Sequence, residues 1–302
     1  MKTKETRQPL HAACHLNEIN IRDPYVLLQE GVYYLYGTRA ATCWGEADGF
    51  DCYVSRDLKD WEGPYEVFHK PGDFWADRNC WAPEVHPYKG KFYMFATFKD
   101  TKLHGGTQIL RADSPMGPFV PHSHRQITPE DWECLDGTFY VSPSGKPYMV
   151  FCHEWVQISD GTICAVELNE ELSAPVGEPF VLFHASEAKA WIQPHINNKN
   201  HPGRHFVTDG PFLYRTKGGR LLMLWSSFSE KGYAQAVAYS ENGDIEGPWI
   251  QEDKLLFEKD GGHGMLFHSR EGQLYLALHS PNKTLLERPV FYPLEEKEDT
   301  LQ

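Results

Sequence analysis

The chain has 302 residues, of which 41% are hydrophobic and 14% are aromatic, a composition typical of a globular protein with a large core. Its formal net charge of −13, without a basic block, argues against nucleic acid and anionic membranes as partners. No apolar run reaches the length of about 18 residues that a membrane span needs. Seven cysteines without CxxC spacing, and a start without an apolar segment, favour free thiols and a cytoplasmic location.

Five copies of one pattern follow one another along the chain. Each copy starts at a short motif with an ionisable residue, runs through an apolar stretch, turns at a glycine and continues in a second apolar strand. The motifs are Asp23-Pro24-Tyr25, Pro83-Glu84-Val85, Asp136-Gly137-Thr138, Asp209-Gly210-Pro211 and Gly262-His263-Gly264. Such a repeat indicates one supersecondary unit used five times.

The first four copies continue in the same way. A third strand follows the hairpin, and a Gly-Pro-aromatic or similar element opens a short outer strand. The third strands are FDCYVS, TQILRA, TICAVEL and YAQAVAYS. Four antiparallel strands at a period of about 50–75 residues predict an all-β protein, a five-bladed β-propeller that occupies residues 1–302 as a single domain. The fifth copy has no clear outer strand, and we expect the N-terminal segment to supply it.

The first strand of each blade lines the central channel of a propeller, so the five ionisable residues are expected to ring one mouth of that channel. The second strand runs back to the same face, which places Phe98 and Glu154 at the rim as well. Several carboxylates around one axis repel each other and resist desolvation. Folding alone gives no reason to gather them, and the pattern therefore predicts an active site.

These motifs resemble those of glycoside hydrolase family 43. The matching segments are NIRDP (20–24), CWAPE (80–84), LDGTF (135–139), TDGP (208–211) and GHG (262–264). The resemblance implies a five-bladed propeller enzyme that inverts anomeric configuration and acts on arabinofuranosides or β-xylosides of oligosaccharides or polysaccharides. It implies Asp23 as general base, and Asp136 as the carboxylate that orients the acid and tunes its pKa. It implies no required cofactor, but a calcium or sodium ion near His263.

The general acid is where the sequence departs from the family pattern. The family places a glutamate at the position of Asp209, and aspartate is one methylene shorter. Asp209 remains the first candidate, with a shifted backbone or sugar. Glu154, in the rim segment CHEW (152–155), is the second. The third interpretation is a site that binds sugar without cleaving it.

The predicted substrate-binding residues are aromatic or charged side chains near the rim. Aromatic rings there can stack on a sugar face, although core packing is the ordinary role of any one of them. The set is Trp81, Glu84, Phe98, Trp155 and Arg288.

The leading functional prediction is an exo-acting glycosidase that releases a terminal α-L-arabinofuranosyl or β-xylosyl residue. A non-catalytic carbohydrate-binding propeller is the alternative that the short acid suggests. An endo-arabinanase or galactofuranosidase activity also fits the fold, because loop heights decide between a pocket and an open cleft. A phosphorylase would need a basic phosphate cluster, for which Arg39 and Arg288 are thin support. A retaining fructosidase would carry Arg-Asp-Pro in the third blade, whereas here it is in the first.

Overall fold

The computed structural model describes residues 13–195 and 202–302, and its strands form five main antiparallel sheets, arranged as a five-bladed β-propeller. The first sheet contains β1 (Cys14–His15), β2 (Ile21–Gln29), β3 (Val32–Arg39), β4 (Gly49–Ser55) and β5 (Asp60–His69). The second contains β6 (Arg78–Tyr88), β7 (Lys91–Lys99), β8 (Gly106–Ala112) and β9 (Val120–Gln126). The predicted fold class is thus confirmed.

The other three sheets repeat the same order from the channel outwards. The third contains β10 (Cys134–Val141), β11 (Pro147–His153), β12 (Thr162–Leu168) and β13 (Pro175–His184). The fourth contains β14 (Asp209–Arg215), β15 (Leu221–Ser229), β16 (Gly232–Ser240) and β17 (Trp249–Gln251). The fifth contains β18 (Gly262–His268), β19 (Leu274–Ser280) and β20 (Arg288–Leu294), and a terminal hairpin follows with β21 (Glu296–Lys297) and β22 (Thr300–Leu301).

Helical structure is confined to single turns. The described residues contain one α-helical turn, α1 (Trp155–Ile158), and the 3₁₀ turns Leu16–Glu18, Ala40–Thr42 and Ala185–Glu187. No helix in these residues is long and apolar enough to cross a membrane. All seven cysteines are free.

The hairpin between β2 and β3 shows how the sequence makes each blade. Glu30 and Gly31 have φ angles of 51° and 76°, the left-handed pair that a two-residue turn needs to match the twist of its strands. Glycine adopts this conformation without steric cost. Lys89 and Gly90 repeat it in the second blade, with φ angles of 45° and 77°.

The expected closure of the fifth blade is wrong for the described N-terminal residues. β1 pairs with β5, with Cys14 opposite Trp61, and so extends the first blade. After two strand residues the chain enters the turn Leu16–Glu18, where the Glu18 carboxylate accepts the backbone N–H of His15 at 2.7 Å. A 3₁₀ turn cannot continue a strand ladder, and in this turn the carbonyl oxygen of Asn17 accepts a hydrogen bond from Arg288 of β20 at 3.1 Å. Residues 1–12 lie outside the described residues.

Candidate active site

A β-bulge occurs at the same point of all five inner strands. The pairing register shifts between Arg22 and Tyr25 in β2, and equivalent shifts occur in β6, β10, β14 and β18. The first residue of each bulge has a left-handed φ between 45° and 57°. These residues are Asp23, Ala82, Asp136, Gly210 and His263. Aspartate, histidine and glycine tolerate this conformation better than most residues, which explains four of the five choices.

The bulges correct two equivalences that the sequence repeat suggested. Ala82, and not Glu84, matches Asp23 in the second blade, so Glu84 lies two residues further along its strand. Gly210 matches Asp23 in the fourth blade. Asp209 stands one residue earlier, at the position that Arg22 holds in the first blade and Trp81 in the second. Asp209, the acid candidate, therefore occupies a different position on its strand from Asp23, the base candidate.

Hydrogen bonds between blades fix the bulges. In four of the five blades, a side chain near the end of the second strand accepts the bulge N–H of the next blade: Thr38 from Ala82 (2.8 Å), Thr97 from Asp136 (2.7 Å), Ser226 from His263 (2.8 Å) and His279 from Asp23 (3.2 Å). In the third blade Cys152 holds this position, and thiols are weak acceptors. The Asp136 carboxylate takes the N–H of Gly210 instead, at 3.0 Å. That exchange holds Asp136 towards the fourth blade.

A cavity of about 480 Å³ opens above the bulges. Its volume lies within the range of about 300–1,000 Å³ that is usual for small-molecule sites. Asp23, Asp136 and His263 line its floor and are each less than 10% exposed. Asp209, Glu154, Trp81 and Trp155 also line it, so the structure brings seven of the ten predicted site residues together.

Asp23 is surrounded by groups that favour its ionised form. Thr38 donates its hydroxyl to Oδ2 at 2.6 Å, and His263 Nδ1 lies 3.3 Å from Oδ1. Burial alone would raise the pKa of Asp23, but His263 and the guanidinium of Arg22 outweigh burial and hold this pKa well below its usual range. Arg22 is itself held by an ion pair with the buried Glu287 at 2.8 Å. Asp23 is therefore a carboxylate throughout the neutral range.

Asp136 and Asp209 show the opposite behaviour. Burial raises the pKa of Asp136 well above its ordinary value, and the charge of Asp23 adds to this effect. Burial raises the pKa of Asp209 to about 7, and the charge of Asp136 acts in the same direction. Tyr233 donates its hydroxyl to Asp209 Oδ2 at 2.9 Å and so fixes the orientation of this carboxyl group. The two groups repel each other, so the pair retains a proton up to neutral pH.

Glu154 lies in the cavity wall, as predicted, but in an environment that differs from that of Asp209. It precedes α1 and is only 5% exposed. Its carboxylate forms an ion pair with Lys99, which also contacts Glu133 at 2.9 Å. A lysine partner stabilises the ionised form of a carboxylate, whereas a general acid must carry a proton. The ion pair with Lys99 therefore favours the ionised form of Glu154.

Three predicted substrate-binding residues do not line this cavity. Phe98 is fully buried among core rings, with its centroid 4.8 Å from that of Phe74, because the side chain after Thr97 points to the opposite face of β7. Glu84 accepts the hydroxyl of Thr138 at 2.6 Å, below the bulges. Arg288 donates to the Asn17 and Glu287 carbonyl oxygens at 3.1 Å and 2.7 Å.

Several cavity residues are absent from the predicted set, and two of them contact its carboxylates: Lys99 and Tyr233. Tyr233 is the first aromatic residue of the third strand in its blade, and Lys99 ends a second strand, directly after Phe98. The rule that the ends of second strands return to the site would have found Lys99. No comparable signal points to Tyr233, because third strands face neighbouring sheets.

The cation predicted near His263 is not tested by the structure. His263 Nδ1 lies 3.3 Å from Asp23 Oδ1 and 3.6 Å from Asp136 Oδ2, so this ring nitrogen contacts both carboxylates. Residues 13–195 and 202–302 contain no group of three or more His, Cys, Asp or Glu side chains arranged to hold a metal. A Cβ on Gly210 would lie 2.7 Å from the His263 ring, so glycine at this position lets the ring approach. We assign no chemical step to an ion, and the ion remains a prediction.

The raised pKa of Asp209 predicts how the stability of the fold depends on pH. Asp209 has a folded-state pKa of about 7, above its unfolded value of 3.8, so its contribution to stability is present below about pH 4 and is lost as the pH rises to 7. Asp209→Asn removes this loss. We expect its melting temperature, relative to that of the wild type, to rise by a few degrees between pH 4 and pH 7 and then to level off. Thermal unfolding across this pH range measures the difference, and a constant offset would contradict a raised pKa.

Comparisons with known proteins agree on the type of molecule. Residues 17–298 match the family described as "Glycosyl hydrolases family 43". An extracellular exo-α-(1→5)-L-arabinofuranosidase of Cellvibrio japonicus is 24% identical over an alignment 303 residues long, gaps included. The alignment covers 89% of this chain and 81% of that enzyme. The solved structure of an endo-arabinase from Bacteroides thetaiotaomicron is 38% identical and superposes with a TM-score of 0.87, covering 94% of this chain and 97% of that one. An α-L-arabinofuranosidase from Lactobacillus brevis, 20% identical with a TM-score of 0.71 over 95% and 96% of the two chains, shares the fold.

Proposed function

The chain belongs to glycoside hydrolase family 43, and we propose that it is an inverting exo-glycosidase that releases terminal α-L-arabinofuranosyl or, second, β-xylosyl residues from oligosaccharides or polysaccharides. One observation carries the proposal: a single cavity holds a carboxylate that stays ionised and another with a pKa of about 7. Inversion needs this pair, because one group must accept a proton from water while the other donates one. Groups whose environments drive their pKa values apart are the usual sign of such an assignment.

In this mechanism Asp23 is the general base. Its Oδ2 accepts the hydroxyl of Thr38, and its Oδ1 faces His263, so the carboxylate is held in one orientation. It removes a proton from a water molecule that attacks the anomeric carbon. The C–O bond to the leaving group breaks as the new C–O bond forms on the opposite face of the sugar, which inverts the configuration.

Asp209 is the general acid in the same step. It delivers its proton to the glycosidic oxygen, and the departing sugar leaves as an alcohol. Asp136 Oδ2 accepts the N–H of Gly210 and lies 3.6 Å from His263 Nδ1. The N–H of Gly210 favours an ionised Asp136 against the effect of burial, and the role of acid requires a proton on Asp209, so we place the shared proton there. The negative charge of Asp136 then keeps the acid protonated at neutral pH.

Arabinose is preferred over xylose because of the relatives. The endo-arabinase that is 38% identical and the exo-arabinofuranosidase that is 24% identical both act on arabinose-containing substrates by their names. The endo-arabinase also favours a second candidate function, internal cleavage of an arabinose polymer by the same carboxylates.

A substrate screen with product analysis tests the proposal. We expect hydrolysis of aryl α-L-arabinofuranoside ahead of aryl β-xyloside and aryl β-galactofuranoside, with the inverted anomer as the first product seen by NMR. On a linear arabinan, free arabinose from the first time points supports exo action, and longer oligosaccharides support the endo alternative. Retention of configuration would contradict the mechanism. Sugar binding without hydrolysis of any substrate would favour the non-catalytic propeller.

A further inference from the structure

Trp44 is held in a fixed position although it is 59% exposed. Its Nε1 donates to Oγ1 of Thr284, in the loop that follows β19, at 3.1 Å. Trp81 meets its ring edge to face, with centroids 5.5 Å apart and planes at 73°. The guanidinium of Arg22 lies 5.4 Å from the centroid of the same ring. These three contacts hold the exposed indole in one orientation before any ligand binds.

This indole stands at the outer end of the cavity that contains the carboxylates. Trp44, Asn282 and Thr284 line the same cavity as Asp23 and Asp209. The floor residue Asp23 is 8% exposed, whereas Trp44 is 59% exposed. The cavity therefore leads from buried carboxylates to an exposed aromatic ring. Trp44 is therefore a wall residue that is accessible to the second unit of a sugar chain whose terminal unit lies on the floor.

The loop opposite Trp44 carries apolar surface and backbone strain. Leu285 and Leu286 are 55% and 51% exposed. Leu285 also has a φ of 69°, a left-handed conformation that a leucine seldom adopts. Strain of this kind persists where the surroundings enforce it, and it is common at ligand sites. Thr284, the partner of the Trp44 indole, is the neighbouring residue.

We propose that Trp44 is the stacking platform for the sugar unit on the leaving side of the cleaved bond, so that it sets a preference for oligosaccharides over single-sugar glycosides. This inference rests on the proposed function, because the cavity floor must hold the terminal unit. Arg22 covers one face of the indole, and the exposed area belongs to the other. The C–H face of a furanose or pyranose ring is apolar enough to pack there. The hydroxyl of Thr284 and the amide of Asn282 offer hydrogen bonds to the hydroxyl groups of the same unit.

The test compares two substrates that differ only in the leaving side. α-L-Arabinofuranosyl fluoride fills the floor and has no second sugar, whereas α-(1→5)-linked arabinotriose has two further units. Trp44→Ala is expected to lower kcat/KM for the trisaccharide about tenfold more than for the fluoride, the effect of one well-packed aromatic contact. Trp44→Phe should recover most of this loss. Leu103→Ala, at an exposed apolar residue that does not line the cavity, is the matched control.

Each outcome decides one of the two claims. Equal losses on both substrates, or none on either, overturn the stacking platform. If the wild type hydrolyses neither substrate, the proposed function fails. The platform is then judged by calorimetric titration of arabinotriose into the wild type and Trp44→Ala. A weaker affinity in the variant supports it, and equal affinities overturn it.

Discussion

Asp23→Asn is expected to lower kcat about a hundredfold or more on any glycoside that the wild type hydrolyses, the scale of lost general-base catalysis. Asparagine cannot accept the proton of the attacking water. It can keep the local structure, because its side-chain oxygen accepts the hydroxyl of Thr38 and it tolerates the φ of 52° at this bulge. The loss should therefore appear in turnover, while circular dichroism reports an intact fold. Steady-state kinetics on an aryl glycoside measure it.

The control for this variant is Asp73→Asn, at an exposed carboxylate that does not line the cavity. It is expected to retain the wild-type rate. The melting temperature of Asp23→Asn should fall, because the low folded-state pKa of Asp23 contributes stability above its unfolded pKa that asparagine cannot supply. Near-normal turnover of Asp23→Asn would remove this residue from the role of base.

Asp209→Ala is expected to damage natural glycosides far more than activated ones. The glycosidic oxygen of a sugar leaving group needs a proton as its bond breaks, so losing the acid should cost about 10²–10⁴-fold in rate. A nitrophenolate leaves without this help, so the loss on its glycoside should be much smaller. The ratio of kcat/KM for the two kinds of substrate, measured in the wild type and in the variant, isolates the proton transfer from sugar binding.

Glu154→Ala is the matched comparison, because Glu154 is a buried carboxylate in the same cavity. Its ion pair with Lys99 favours the ionised form over a proton donor, so removal of Glu154 should affect both kinds of substrate alike. If leaving-group dependence appeared in Glu154→Ala and not in Asp209→Ala, the acid would be Glu154.

The sequence was sufficient for the fold because each blade repeats local signals. The predicted third strand TICAVEL coincides with β12 (Thr162–Leu168), and the turn glycines lie between the paired strands as expected. The same repeat brought Asp23, Asp136, Asp209 and His263 to one cavity. Hairpins and alternating strands are properties of a few consecutive residues, and they can be read without knowing the partner strand.

The errors concern orientation, which depends on strand register. Thr97 accepts a bulge N–H, whereas the adjacent Phe98 packs in the core, because neighbouring side chains on a strand face opposite ways. Glu84 is not at the expected rim because Ala82 holds the bulge position of its strand and Glu84 lies two residues further along. The ion pair of Lys99 with Glu154 joins residues 55 positions apart, and no local pattern announces such a contact.

The first and fifth blades meet without sharing a strand in the described part of the chain, and Asp23, the proposed base, lies at this interface. Asp23 N–H donates to His279, Arg22 pairs with Glu287, and Asn20 donates to the Glu287 carbonyl at 2.7 Å. Separation of these two sheets would therefore dismantle the surroundings of Asp23 while the other four interfaces could stay closed. Activity is thus a reporter of ring closure. A sugar that contacts both the first and the fifth blade is therefore expected to raise the melting temperature of the whole propeller.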